Sequence, residues 1–227
     1  MPADAPPPSG RRAGDATGAL IERLAGDLKP VRRRTTWRDA AVLAAIVAVE
    51  LVLFLAMGGL RPDMPMAMKQ PSWWWKLGSM GAIGIAGLGT GLLSLDPARS
   101  PRRGLRITIL LVLLCVALGW LVDAARPGTT ALLARLDWRQ GIGCVWKMAV
   151  LAIPAVLGFG VLLRRGAPFD GAATSWAGGL GAAAAGAFVF VFACPSDDPL
   201  YIAAWYAVGL ALVSAVSRVI LGRVARW

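Results

Sequence analysis

Six apolar runs, each close to the ~20 residues that a helix needs to cross the hydrocarbon core of a bilayer, constrain this chain more than any other feature. They fall at about 39–60, 73–95, 105–121, 142–163, 171–194 and 200–221. Within a bilayer every backbone N–H and C=O must be satisfied inside the protein, so runs of this kind fold as helices. The prediction is an all-α membrane protein, with a six-transmembrane-helix bundle filling residues 37–227. Only 16% of residues are charged, against ~25% in a soluble domain, and mean hydropathy is +0.61.

The charges that remain are ordered. Net charge is +11, a balance that in a soluble domain points to nucleic acid. Here the basic residues sit in the short gaps between apolar runs, which makes them a topology signal. One set of gaps holds Lys29, Arg32, Arg33, Arg34 and Arg38, then Arg99, Arg102, Arg103 and Arg106, then Arg164 and Arg165, then Arg223 and Arg226. The alternate set is poorer: Arg61 and Lys69, then Arg126, Arg135 and Arg139, closing with the acidic pair Asp197 and Asp198. The richer side is expected to be cytoplasmic, with both termini inside. The lipid bilayer is the expected partner of this surface, and no direct contact with nucleic acid is expected. The first residues are Pro-rich and polar rather than apolar, so no signal peptide is read there.

Ahead of the first run, residues 1–16 have the composition of a disordered tail. Residues 17–36 read differently. Leu20, Ile21, Leu24 and Leu28 recur at helical spacing on one face, while Glu22, Arg23, Asp27 and Lys29 take the others. Pro30 ends the pattern, and the basic run Arg32, Arg33, Arg34 follows. A short cytoplasmic amphipathic helix of this kind suits either a groove on a partner protein or the inner leaflet of the membrane.

Enzymatic chemistry has little to stand on. The chain has no histidine, the commonest general base and zinc ligand. It has no phosphate-binding glycine loop, nucleophile elbow or paired catalytic carboxylates. No cofactor is expected. Glu50 lies in the middle of the first run; it is either a neutral, hydrogen-bonded carboxyl or the working group of a small six-span transporter or channel. Lys76 and Lys147 sit about one turn inside their runs and are expected to snorkel to the headgroups. Trp73, Trp74, Trp75, Trp138, Trp146 and Tyr201 are expected to form the outer aromatic belt. Asp197 and Asp198 are expected to lie solvated in an exposed turn.

Of three cysteines, Cys115 sits mid-span as a packing residue. Cys144 and Cys194 fall near the outer ends of the fourth and fifth runs. Two readings stay open: a disulfide or redox-sensitive pair facing an oxidising compartment, or two small apolar packing residues.

Several stretches, taken in order, resemble the NrsF-type membrane anti-sigma factors. They are LIERLAGDLKPVRR at 20–33, Cys144 followed by Pro154 and the Leu-Leu-Arg-Arg at 162–165, and CPSDDPLYIAAWYAVG from Cys194, with Gly222-Arg223 and a terminal Arg-Trp. The resemblance covers essentially the whole chain. It implies a bacterial inner-membrane protein that holds an extracytoplasmic-function sigma factor inactive through a cytoplasmic segment and releases it under oxidative or metal stress. It maps the family's functional cysteines onto Cys144 and Cys194, as a redox-sensing pair and a possible metal-binding one. Contact with the sigma factor is then expected from Leu20, Ile21, Leu24, Asp27, Leu28, Arg32 and Arg33. Ala193 stands before Cys194, where the family often has a histidine.

Overall fold

The computed structural model of the chain describes residues 13–26, 34–124 and 135–224. Two compact units divide it, Met1–Thr35 and Thr36–Trp227.

The first unit contributes helix α1 (Ala13–Gly26). Leu20, Ile21 and Leu24 are all exposed on it. Asp27, Leu28, Arg32 and Arg33 lie outside the described residues.

The second unit holds α2 (Thr36–Ala56), the single turn α3 (Met64–Ala67), α4 (Pro71–Leu93), α5 (Arg102–Ala124), α6 (Trp138–Arg164), α7 (Gly171–Phe190) and α8 (Pro199–Val224). All but α3 are long and apolar enough to cross a membrane, and the described residues contain no strand. Local chemistry sets the helix ends. Gly58, at φ 84°, takes the left-handed conformation that stops α2. Pro71 opens α4 at the position where a missing N–H costs nothing. α7 ends at Phe190, short of the apolar run that predicts it. The chain then turns toward Pro195, which disfavours helix at the preceding Cys194. Cys194 therefore stands beyond the span, in the 191–198 connection.

α7 is the centre of the bundle, with α4, α6 and α8 packed around it. Its glycines and alanines allow backbones to meet. A Cβ on Gly87 of α4 would lie 2.6 Å from Gly181 Cα, and one on Gly186 would lie 2.5 Å from Ala152 N of α6. Close approach of this kind drives association where lipid removes the hydrophobic difference between inside and outside. The Phe159 ring fills the space left by Gly91 and Gly178. α2 leans mainly on α6, and α5 on α8 and α4. These outer helices bury little: Leu43 on α2, and Thr108, Gly119 and Asp123 on α5. Their other faces present leucine, valine and isoleucine, as a lipid-facing surface requires.

Neighbouring helices alternate in direction, so the unit has two distinct ends. At one, Ala167 N–H donates to Leu95 O at 3.3 Å, Arg102 pairs with Asp170 at 3.2 Å and Ser94 Oγ donates to Thr174 Oγ1 at 2.9 Å. This end also carries Arg38, Arg99, Arg103, Arg106, Arg164, Arg165 and Arg223. At the other, the α2–α4 and α7–α8 connections converge around Cys194, with Arg135 ahead of α6 reaching Asp198.

Candidate functional site

The 191–198 connection is held by three cations from three parts of the fold. Arg61, between α2 and α3, donates from Nη1 to Cys194 O at 3.0 Å and grips Asp197 with both terminal nitrogens at 2.9 Å. The same guanidinium meets Asp63 at 2.7 and 2.6 Å. The Asp63 and Asp197 hydrogen bonds raise the Arg61 pKa above its ordinary value, and the contact with Arg61 lowers that of Asp63. Arg135 forks Asp123 at the end of α5 and Asp198 ahead of α8. Lys76, on α4, donates from Nζ to Ser196 O at 3.1 Å.

Asp197 and Asp198 are thus anchors and not solvated turn residues. Their partners are 136 and 63 positions away in sequence, a distance over which no periodic pattern links them.

Beneath this roof the two thiols meet. Cys144 on α6 and Cys194 are both buried, both unbridged, and lie in the same core cluster. Cys144 Sγ is 3.3 Å from Tyr201 Oη of α8. Cys194 Sγ lies 4.0 Å from Ser196 O, the carbonyl that also accepts from Lys76. Tyr206 is buried below, with its hydroxyl facing the Cys194 sulfur. The adjoining Cys144 thiol, the Lys76 ammonium and the Tyr206 hydroxyl together hold the Cys194 thiol below its ordinary pKa, against the opposing effect of burial. A thiolate is the nucleophilic form of cysteine. The arrangement is therefore an activated sulfur with a second sulfur in reach.

The expectations for Lys76, Tyr201 and Trp73 are corrected here. Lys76 does not snorkel: it is wholly buried among the groups just named. Lys147 is exposed, with Nζ 5.8 Å from the Phe190 ring centroid. Tyr201 belongs to the thiol site and not to an aromatic belt. The three tryptophans divide: Trp73 is buried against Phe192, Trp74 is exposed, and Trp75 is half-buried. Successive helical residues point ~100° apart, so all three cannot share one face. Glu50 faces an apolar groove with Leu53, Leu151 and Pro154, and its Oε2 has no hydrogen-bond partner.

A family model described as "NrsF: Negative regulator of sigma F" matches residues 24–227. The chain belongs to this family. It is 29% identical over 215 residues to the anti-sigma-F factor NrsF of Caulobacter vibrioides, a match covering 93% of this chain and 97% of that protein. No solved structure matches the chain. The NrsF match takes in all six long helices and both ends of the bundle, including the whole thiol site, while Leu20 and Ile21 of α1 precede it. Negative regulation of a sigma factor is the function of the NrsF family, which makes a sigma factor the partner class and gives the chain a regulatory role.

Proposed function

We propose that the protein is a multi-pass anti-sigma factor of the bacterial inner membrane. It sequesters an extracytoplasmic-function sigma factor through its N-terminal cytoplasmic segment and releases it when Cys144 and Cys194 are oxidised. The observation that carries the redox part is the contact of two unbridged thiols in a member of a family of sigma-factor regulators. The arginines support the orientation. They crowd the end that carries Thr36 and Val224, whereas Arg61 and Arg135 at the thiol end are each matched by two aspartates. The thiol pair then faces the oxidising side.

The exposed Leu20, Ile21 and Leu24 supply the apolar stripe that a helix offers to a groove. Asp27, Leu28, Arg32 and Arg33 extend this candidate contact in the sequence. Oxidation is favoured over metal as the signal. Two sulfurs fall short of the four ligands that zinc takes, and among the described residues no group of three or more His, Cys, Asp or Glu comes together. Moving release from 1:99 to 99:1 takes ~5.5 kcal/mol of differential stabilisation. A disulfide typically supplies ~2–4 kcal/mol, so a further consequence of oxidation has to add to it.

The test is co-purification of the sigma factor with the full-length chain from membranes. A Leu20→Glu, Ile21→Glu, Leu24→Glu variant is expected to insert normally and lose the sigma factor. Undiminished binding by that variant would remove the N-terminal segment as the principal contact.

A further inference from the structure

Lys76 has a role that the thiol pair alone does not explain. It lies in α4 five residues after Pro71 and is 0% exposed. A fully buried ammonium is costly unless it is paired, and the hydrogen bond it makes goes to the neutral carbonyl of Ser196 at 3.1 Å. The charged and titratable groups around it come from every neighbouring element. α6 brings Cys144 and, beyond it, Lys147; α8 brings Tyr201 and Tyr206; the α2–α3 connection brings Arg61; the 191–198 connection brings Cys194 and Asp197. Asp197 is already forked onto Arg61 at 2.9 Å. That leaves the Cys194 sulfur, which lies 4.0 Å from the same Ser196 carbonyl, as the neighbouring group able to carry a compensating negative charge. The Tyr206 hydroxyl, buried and otherwise unpartnered, faces the same sulfur.

We infer that Lys76 is the built-in counter-ion of Cys194: it keeps that sulfur as the attacking thiolate, and it is left as an uncompensated buried charge when the thiolate is consumed. This rests on the reading of the thiol pair as a redox switch and gives that switch its second consequence. The chemistry balances with a peroxide as a two-electron oxidant. The Cys194 thiolate attacks one peroxide oxygen; a sulfur–oxygen bond forms, the oxygen–oxygen bond breaks and hydroxide leaves with the negative charge. The Cys144 sulfur then attacks the Cys194 sulfenic acid. The disulfide forms, the sulfur–oxygen bond breaks, and the thiol proton leaves with that oxygen as water. The thiols lose two electrons, the peroxide gains two, and Lys76 keeps its proton.

Before the reaction the pair carries one negative charge beside Lys76; afterwards it carries none. Asp197, adjacent to the Ser196 carbonyl that Lys76 already holds, is the anion within reach of the stranded ammonium. Recruiting it means taking it from Arg61. Opening of the Arg61–Asp197 fork frees the 191–198 connection from the α2–α3 connection, and α2 leads back toward the N-terminal unit. The low pKa of Cys194 agrees with this arrangement.

The test uses the full-length chain in nanodiscs, reduced and then treated with hydrogen peroxide from pH 5 to pH 9. Disulfide formation between Cys144 and Cys194 is read by peptide mass spectrometry. The wild-type rate is expected to reach half its plateau below the ~8.5 of a free thiol. In Lys76→Met the midpoint is expected to rise by about one pH unit or more, slowing the reaction roughly tenfold at any pH below both midpoints, and Lys76→Arg is expected to restore it. Thermal melts give a second readout. Oxidation is expected to lower the Tm of the wild type and to raise that of Lys76→Met, where the cross-link strands no charge. Coincident pH profiles for wild type and Lys76→Met, or the same sign of Tm change in both, would overturn the role of Lys76 while leaving the redox pair in place. A wild-type chain that forms no disulfide at any pH would overturn both.

Discussion

Arg61 and Asp197, 136 residues apart in sequence, are joined end-on: both terminal nitrogens of the guanidinium meet the carboxylate at 2.9 Å. The same guanidinium caps Cys194 O and holds Asp63, so one side chain ties the α2–α3 connection to the thiol-bearing one. Arg61→Met removes all of this and leaves the Cys194 carbonyl without its donor. The expected cost is about 1–3 kcal/mol, read as a lower Tm. Arg61→Lys is expected to recover little, because an ammonium cannot reproduce the planar fork. A Tm unchanged in both variants would contradict the clamp.

The second clamp predicts a mismatch penalty that can be repaired. Asp123 is buried at the end of α5 and depends on Arg135. Arg135→Met should cost about 1–3 kcal/mol by leaving a buried carboxylate unpaired, and Asp123→Asn in that background should return part of the loss. A double variant no more stable than Arg135→Met would show that Asp123 is satisfied elsewhere.

The α4–α7 contact predicts a size limit. A Cβ on Gly87 would fall 2.6 Å from Gly181 Cα, so Gly87→Leu is expected to force the two backbones apart and abolish the folded bundle. Gly78, where an added Cβ would meet nothing within 4 Å, is the control: Gly78→Ala should leave the Tm unchanged or slightly higher. Similar expression and melting of Gly87→Leu and Gly78→Ala would count against backbone contact as the basis of packing.

Asp170 gives a pH dependence with a definite sign. Its carboxylate accepts from Ala173 N–H at 3.0 Å at the start of α7, and this bond, aided by Arg102, holds its pKa below the ordinary aspartate value. A depressed carboxyl stabilises the fold above the unfolded-state value of ~3.9 and loses that contribution as pH falls through the folded-state value. Asp170→Asn keeps a cap and removes the titration, so it should melt near the wild type at pH 7 and lose less on acidification. Asp170→Ala should cost about 0.5–2 kcal/mol at pH 7. Parallel pH curves for wild type and Asp170→Asn would refute the assignment.

Glu50 separates regulation from transport. Its carboxyl opens on an apolar groove between α2 and α6 with no relay partner among the described residues. Glu50→Gln is therefore expected to leave sigma-factor retention and oxidant response intact. A loss of either would bring the transporter or channel reading back.

What could be read in the sequence follows from the range of the forces involved. Span number and approximate extent were legible because each span satisfies its own backbone. The Gly/Ala character of 171–187, plain in the sequence, suits the close helix packing that the structure shows. Cys144 and Cys194 could be brought to similar depth by counting residues, but their contact with Tyr201, Tyr206 and Lys76 could not. Lys76 was assigned by depth alone to the headgroups, since nothing local reveals that a carbonyl 120 residues away receives it. Arg61 and Arg135 read as ordinary loop charges for the same reason.

The most direct test of the account measures sigma factor retained on membranes of cells carrying the full-length chain, before and after peroxide, in wild type and in Cys144→Ser. The account predicts retention in both before treatment, and release from wild type but not from Cys144→Ser afterwards. Equal release from both, or retention in both, would contradict it.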